Sequence, residues 1–82
     1  MNQVYPLEET LQTIFVASCI ESAAIATGCH PHEMYQLMKR VGLIENYIWR
    51  YYNTLHTQSR EYVTNDVLET LTMWEKKKRG IE

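Results

Sequence analysis

The fold class follows first from residues 6–28, which read PLEETLQTIFVASCIESAAIATG. Pro6 suits the first helical position, and the glutamate pair of the first turn suits the positive end of a helix dipole. Gly28 is placed to end the helix. The apolar residues in between fall nearly all the way around a helix drawn at about 100° per residue. The pattern therefore predicts a helix over 6–27 that needs cover on several sides.

Two further helices are predicted in the middle of the chain. The second begins at His30-Pro31 and ends at Gly42, with one apolar stripe at i, i+3, i+4 and i+7. The third is predicted over 43–55 at the same helical spacing. It carries four aromatic rings within positions 47–52, which cannot all face one core. Some of these rings are therefore expected at the surface.

A polar stretch, residues 56–63, is predicted to link the third helix to the last. Thr64 or Asn65 is the predicted N-cap of the last helix, and Gly80 is the predicted stop. Its inward residues are predicted to be Val67, Leu68, Leu71 and Trp74. The predicted fold is therefore all-α: one small four-helix domain over residues 1–82, with a polar linker before the last helix.

Length and composition limit the possibilities further. The chain has 82 residues, 45% of them hydrophobic, which suits one folded domain and excludes a multidomain enzyme. The longest apolar run, residues 14–20, falls short of the ~20 residues that cross a bilayer, so no membrane span is predicted. The start has no basic n-region. Cys19 and Cys29 are expected too far apart to bridge, so we predict free thiols and a cytoplasmic location.

Charge disfavours a nucleic-acid partner. Residues 1–75 carry nine acidic and four basic side chains, and Lys76-Lys77-Lys78-Arg79 holds the other four positive charges. An acidic body repels phosphate backbones. The basic tail is explained by the favourable interaction of cations with the end of a helix dipole. A nucleic-acid-associated regulator acting through this tail remains an alternative.

Two clusters offer a chemical alternative. Cys29, His30 and His32 have the donor types of a zinc site, but structural zinc needs four ligands in two well-separated pairs. His56 and Ser59 could form a hydrolytic pair, but no Gly-rich turn supplies an oxyanion hole. No phosphate loop, nucleotide fingerprint or paired-carboxylate motif is present. We therefore predict no cofactor and no enzymatic activity, and keep a small metal-binding or hydrolytic protein as the alternative.

The surplus of aromatic residues points to binding of a protein. Aromatic residues, Met and Arg are enriched at the centres of interfaces. The predicted partner is another protein or a second copy of this chain in a homodimer, with no membrane contact. The predicted partner-binding residues are Trp49, Arg50, Tyr52, His56, Thr57, Gln58, Ser59 and Tyr62.

Residues 52–67, YNTLHTQSREYVTNDV, contain a Leu-His-Thr-Gln-Ser motif followed by Tyr-Val and by an Asp at a helix start. In this motif, and in the segments 15–21 and 35–39, the chain resembles a family of short bacterial helical proteins of unknown function. The resemblance implies a stand-alone helical domain with no assigned activity. It also implies an antitoxin-like or accessory role, because members of that family occur beside genes for toxin-like or ADP-ribosyltransferase-like proteins.

Overall fold

A computed structural model describes residues 7–80 and shows five helical segments over that range. In chain order they are α1 (Leu7–Thr27), α2 (Pro31–Val41), a π-helix (Ile44–Trp49), α3 (Tyr52–Leu55) and α4 (Arg60–Lys78). Residues 7–80 contain no strand, so the predicted all-α class is confirmed. The predicted count of four helices is not confirmed, because the predicted third helix is divided into the π-helix and α3.

The ends of α1 and α2 follow from local chemistry as predicted. Gly28 has a φ of +75°, and the next amide donates back to the carbonyl of Ala24 at 3.0 Å, which closes α1. His30 caps α2: its Nδ1 accepts from the amide of His32, and the carboxylate of Glu33 accepts from the His30 amide. Gly42, with φ +76°, ends this helix. The predicted start of α1 at position 6 lies outside the described residues.

The prediction of one continuous α-helix over residues 43–55 is wrong. Its first part is a π-helix, and Tyr51 has φ −104° and ψ 25°, outside the helical range, before α3 begins. A π-helix bonds residue i to i+5, so each turn holds more residues than an α-helical turn. The side chains after it are therefore rotated relative to a wheel drawn at 100° per residue. Of the clustered rings, Tyr47 is the one that meets an aromatic ring of α4, Trp74.

The predicted N-cap of the last helix is also wrong. Ser59, with an extended backbone, is the cap, and its Oγ accepts from the amide of Tyr62 at 3.1 Å. Thr64 lies inside α4, where its hydroxyl donates to the carbonyl of Arg60. Serine is as good a cap as the predicted residues, and the exposed, charged Arg60 and Glu61 that follow it belong to the first turn of α4. The polar linker is correspondingly shorter than predicted.

One face of α1 packs against α2, α4 and the π-helix. It is buried at Cys19, Ala23 and Ala24, whose small side chains permit close approach of the neighbouring helices. The rest of the core comes from the other elements: Met34, Met38, Leu43, Ile48, Val63, Val67 and Leu71. Of the four residues predicted to face inward on α4, Val67 and Leu71 are buried, and the other two are partly buried against the core.

The opposite face of α1 is open to solvent, contrary to the expectation of cover on several sides. Leu7, Leu11, Ile14 and Ile25 are exposed by 71%, 44%, 59% and 75%. These four positions fall within one narrow sector of the helix, opposite the buried face. Among the described residues, then, α1 is covered on one side only.

The prediction that no segment could span a membrane needs correction, because it did not consider the length and composition of α1 as a whole. It rested on the longest uninterrupted apolar run, whereas α1 as a whole, 21 residues, is long and apolar enough to cross a bilayer. The same measure is met by core helices of soluble proteins and by signal sequences. Here α1 contributes three buried residues to the core.

Candidate functional site

A groove of about 460 Å³ opens where the π-helix and α3 meet α4. We call it the aromatic groove. It is lined by Asn46, Tyr47, Tyr51, Thr54, Leu55, Gln58, Tyr62, Asp66 and Trp74. Leu55 is buried, whereas Tyr51 and Tyr62 are exposed by 46% and 54%. The groove therefore combines an apolar lining with aromatic rings that solvent reaches.

The aromatic rings of the groove hold one another in place. Tyr47 and Tyr51 lie one turn apart and meet edge to face, with ring centroids 5.6 Å apart. Tyr47 also meets Trp74 of α4 edge to face at 5.9 Å. Such pairs are worth about 0.5–1.5 kcal/mol beyond the area that they bury. The central ring, Tyr47, thus fixes the groove from both sides.

The polar centre of the groove is a hydrogen bond from the Tyr47 hydroxyl to the Oδ2 of Asp66. Burial raises the pKa of Tyr47, and this hydrogen bond to the carboxylate raises it further. Tyr47 therefore stays protonated and keeps donating over the whole neutral pH range.

The second carboxylate oxygen of Asp66, Oδ1, accepts no hydrogen bond from residues 7–80. No buried polar side-chain atom in that range lacks a partner, so this oxygen is accessible to solvent. The only ion pair among the described residues joins Arg40 to Glu75, at 3.0 Å, and leaves Asp66 without a cation. The groove consequently holds a negative charge with one free acceptor oxygen.

Two of the residues predicted to bind a partner, Gln58 and Tyr62, line the aromatic groove. Ser59 lies between them and caps α4, so its hydroxyl is used by the fold. Arg50 is exposed, with its guanidinium carbon 5.9 Å from the centre of the Tyr51 ring. These residues lie in or beside the groove.

The other predicted residues lie outside the groove lining. Tyr52 is half-buried: its ring stacks on His56 at 4.4 Å and meets Phe15 edge to face at 5.4 Å. The His56 Nδ1 donates to the carbonyl of Tyr52 at 2.7 Å. Thr57 donates to the carbonyl of Thr54, which closes the end of α3. Trp49 is 37% exposed, and its carbonyl accepts from the Gln12 side chain at 3.4 Å.

Sequence reasoning missed Tyr47, Asp66 and Trp74 as members of one site. The sequence pattern placed Tyr47 only among the four clustered rings, predicted Trp74 to face inward, and gave Asp66 only as the Asp at a helix start. Asp66 lies one turn after Tyr62, and that i, i+4 spacing was a usable signal once α4 was known to begin at Arg60. Trp74 had no such signal, because only the packing of α4 brings it to the π-helix.

The clusters behind the chemical alternative have roles in the fold. His30 and Glu33 form the capping box of α2. No group of three or more His, Cys, Asp or Glu side chains converges to hold a metal ion within residues 7–80. In the other cluster, the Ser59 hydroxyl serves the N-terminus of α4, and no hydrogen bond joins it to His56. The basic residues Lys76–Lys78 occupy the last turn of α4, as the dipole argument predicts.

A second, smaller hollow of about 240 Å³ lies between α1 and the start of α4. Arg60 crosses it and donates to the Ser22 hydroxyl at 2.8 Å. Cys19, buried at its base, has its pKa raised by desolvation to about 11, against a smaller lowering by Arg60. This thiol is therefore protonated and unreactive at neutral pH. Both cysteines are free.

A protein-family model described as "Protein of unknown function (DUF3791)" matches residues 14–74. The match covers most of the chain, from the middle of α1 to Trp74, and the chain therefore belongs to this family. It includes the whole of the aromatic groove. No curated protein and no solved structure matches the chain.

Proposed function

We propose that this member of the DUF3791 family is a non-catalytic module that binds another protein through the aromatic groove. The observation that carries the proposal is the groove itself, in which two exposed tyrosine rings, Tyr51 and Tyr62, stand beside two partly buried rings and the carboxylate of Asp66. Tyrosine and tryptophan dominate the energetics of protein interfaces because they are rigid and carry a large apolar area.

Charge indicates what kind of partner fits. The acidic excess of residues 1–75 and the unpaired Asp66 favour a partner with a basic surface, which an acidic body attracts over a distance. The exposed stripe of α1 adds apolar area that a larger partner could cover. The polar roles found for His56 and Ser59 within the fold agree with a function without catalysis.

In cells we place this protein as an antitoxin-like or accessory partner of the product of a neighbouring bacterial gene. The support for this finer proposal is the family resemblance carried by the Leu-His-Thr-Gln-Ser motif. Gln58 of that motif lines the groove, so the motif and the proposed binding surface coincide at this residue.

Site-specific photocrosslinking in the native host tests the proposal. Tyr62 is replaced by p-benzoylphenylalanine, and the matched control places the same group at Tyr35, an aromatic position on α2 with 37% exposure. We expect one discrete adduct from position 62 and none from position 35. The adduct is identified by mass spectrometry, and the captured protein must bind again in purified form.

Three outcomes contradict the proposal. Adducts of equal yield from both positions show that capture does not depend on the groove. An adduct of twice the chain mass from position 62 assigns the groove to a second copy of this chain, and so makes it a homodimer interface. Absence of any adduct from position 62 in the native host also refutes binding through this groove.

A further inference from the structure

We propose that the aromatic groove is a binding site for an arginine side chain presented by the partner protein. This inference rests on the proposed function and names the ligand chemistry of the same site. The groove has the two features that a guanidinium needs at once: exposed tyrosine rings, and a carboxylate oxygen that accepts no hydrogen bond from residues 7–80.

The carboxylate is held ready for a cation. The Tyr47 hydroxyl donates to Oδ2 of Asp66, which fixes the orientation of the carboxylate and leaves Oδ1 free. Charge-assisted hydrogen bonds to such an oxygen are about twice as strong as neutral ones. Thr70, also on α4, bonds the backbone carbonyl of Asp66 and so does not occupy the carboxylate.

The aromatic rings favour a flat cation over a neutral group. A guanidinium is attracted to the face of Tyr or Trp, and it can stack on a ring while its N–H groups donate in the plane. The chain itself makes one such contact beside the groove, where the guanidinium carbon of Arg50 lies 5.9 Å from the centre of the Tyr51 ring. Lysine, a compact point charge, would satisfy Asp66 but would use the ring faces less well.

The positive groups of the chain leave the centre of the groove unoccupied. Arg50 forms no ion pair with Asp66, and the single ion pair among residues 7–80 lies elsewhere. Lys77 and Lys78 line a separate hollow beside Trp74. A cation arriving from a partner thus competes with no resident side chain for Oδ1.

Titration of the isotopically labelled full chain with two short peptides tests this inference. The peptides are acetyl-Gly-Arg-Gly-amide and its citrulline counterpart, which has the same shape without the charge. We expect the arginine peptide to shift the resonances of Tyr62, Asp66 and the Trp74 indole, and to bind at least about fivefold more tightly than the citrulline peptide. Equal binding of the two peptides, or no binding of either, overturns the inference.

Matched charge variants localise the effect. Asp66→Asn keeps an oxygen that accepts from Tyr47 but loses the negative charge. The affinity of this variant for the arginine peptide should therefore fall roughly to its affinity for the citrulline peptide. Glu69→Gln removes one negative charge from an exposed position less than one turn away, outside the groove lining, and should leave binding within about twofold. Equal losses in both variants would mean a general attraction by the acidic body.

The outcomes separate this inference from the proposed function. If position 62 crosslinks but the two peptides bind equally, the groove binds a protein without selectivity for a cation, and only this inference fails. Selective binding of the arginine peptide together with a failure of crosslinking leaves a cation site and removes the proposed partner function.

Discussion

Ser59 offers a direct test of how α4 begins, and this start is what brings Gln58, Tyr62 and Asp66 to the groove. Ser59→Ala removes the oxygen that accepts from the Tyr62 amide at 3.1 Å. The loss of such a cap costs typically about 1 kcal/mol, within a range of about 0.5–2. For a domain of this size, that lowers the melting temperature by roughly 4–8 °C.

Asn65→Ala is the matched control, because the sequence pattern predicts a cap at this position or at Thr64. In the structure Asn65 is exposed within α4, where alanine is the better helix former by about 0.5 kcal/mol. We therefore expect Asn65→Ala to be neutral or slightly stabilising, the opposite sign to Ser59→Ala. Urea unfolding followed by circular dichroism measures both. A loss of about 1 kcal/mol in Asn65→Ala with no effect of Ser59→Ala would refute the placement of α4.

Two further predictions concern packing and ionisation. Gly28→Ala and Gly42→Ala should each lower the free energy of unfolding by about 1–2 kcal/mol, because both glycines have positive φ. The two losses should be similar, because the added Cβ at Gly42 lies 2.9 Å from the end of the exposed Asn46 side chain, which can rotate away. Chemical denaturation measures both variants, and a clearly larger loss at Gly42 would show that Asn46 is held in place. The pKa of Cys19 is raised to about 11 from an ordinary 9.0, so the folded chain keeps the thiol proton to higher pH than the unfolded chain does. The free energy of unfolding should therefore fall as pH rises from about 9 to 11. Cys19→Ala should flatten this decline, and an unchanged slope would show that other groups cause it.

The ends of the first two helices could be predicted because their causes are local. Gly28 and Gly42 adopt the left-handed conformation that ends a helix, and Glu33 completes a capping box with His30. Each of these signals involves residues within a few positions of one another. A single sequence is sufficient for such features.

The break in the third helix could not be predicted in the same way. Apolar residues recur through 43–55 at α-helical spacing, and nothing in that pattern distinguishes a π-helix followed by a short α3 from one continuous helix. Within the π-helix, Ile48 is fully buried in the core that it shares with residues of α1, α2 and α4. Tertiary packing of this kind overrides local preference.

The candidate site was predicted in part, and the reason is sequence distance. Gln58 and Tyr62 were predicted as binding residues, and both lie in one polar stretch, residues 56–63. Tyr47 and Trp74 are 27 positions apart and meet only because α4 packs beside the π-helix. The surplus of apolar area on α1 could be predicted from its composition, but the face that stays uncovered could not, since apolar residues fall nearly all the way around the helix.

The central claim is tested most directly by isothermal titration calorimetry. The partner identified by crosslinking is purified on its own and titrated against three forms of this chain. The forms are wild type, Tyr62→Ala and the control Tyr35→Ala. A ring at the centre of an interface is worth about 2 kcal/mol, so Tyr62→Ala should bind roughly 30-fold more weakly, and Tyr35→Ala should bind like wild type. Equal affinities of all three forms, with all three folded by circular dichroism, would contradict binding through the aromatic groove.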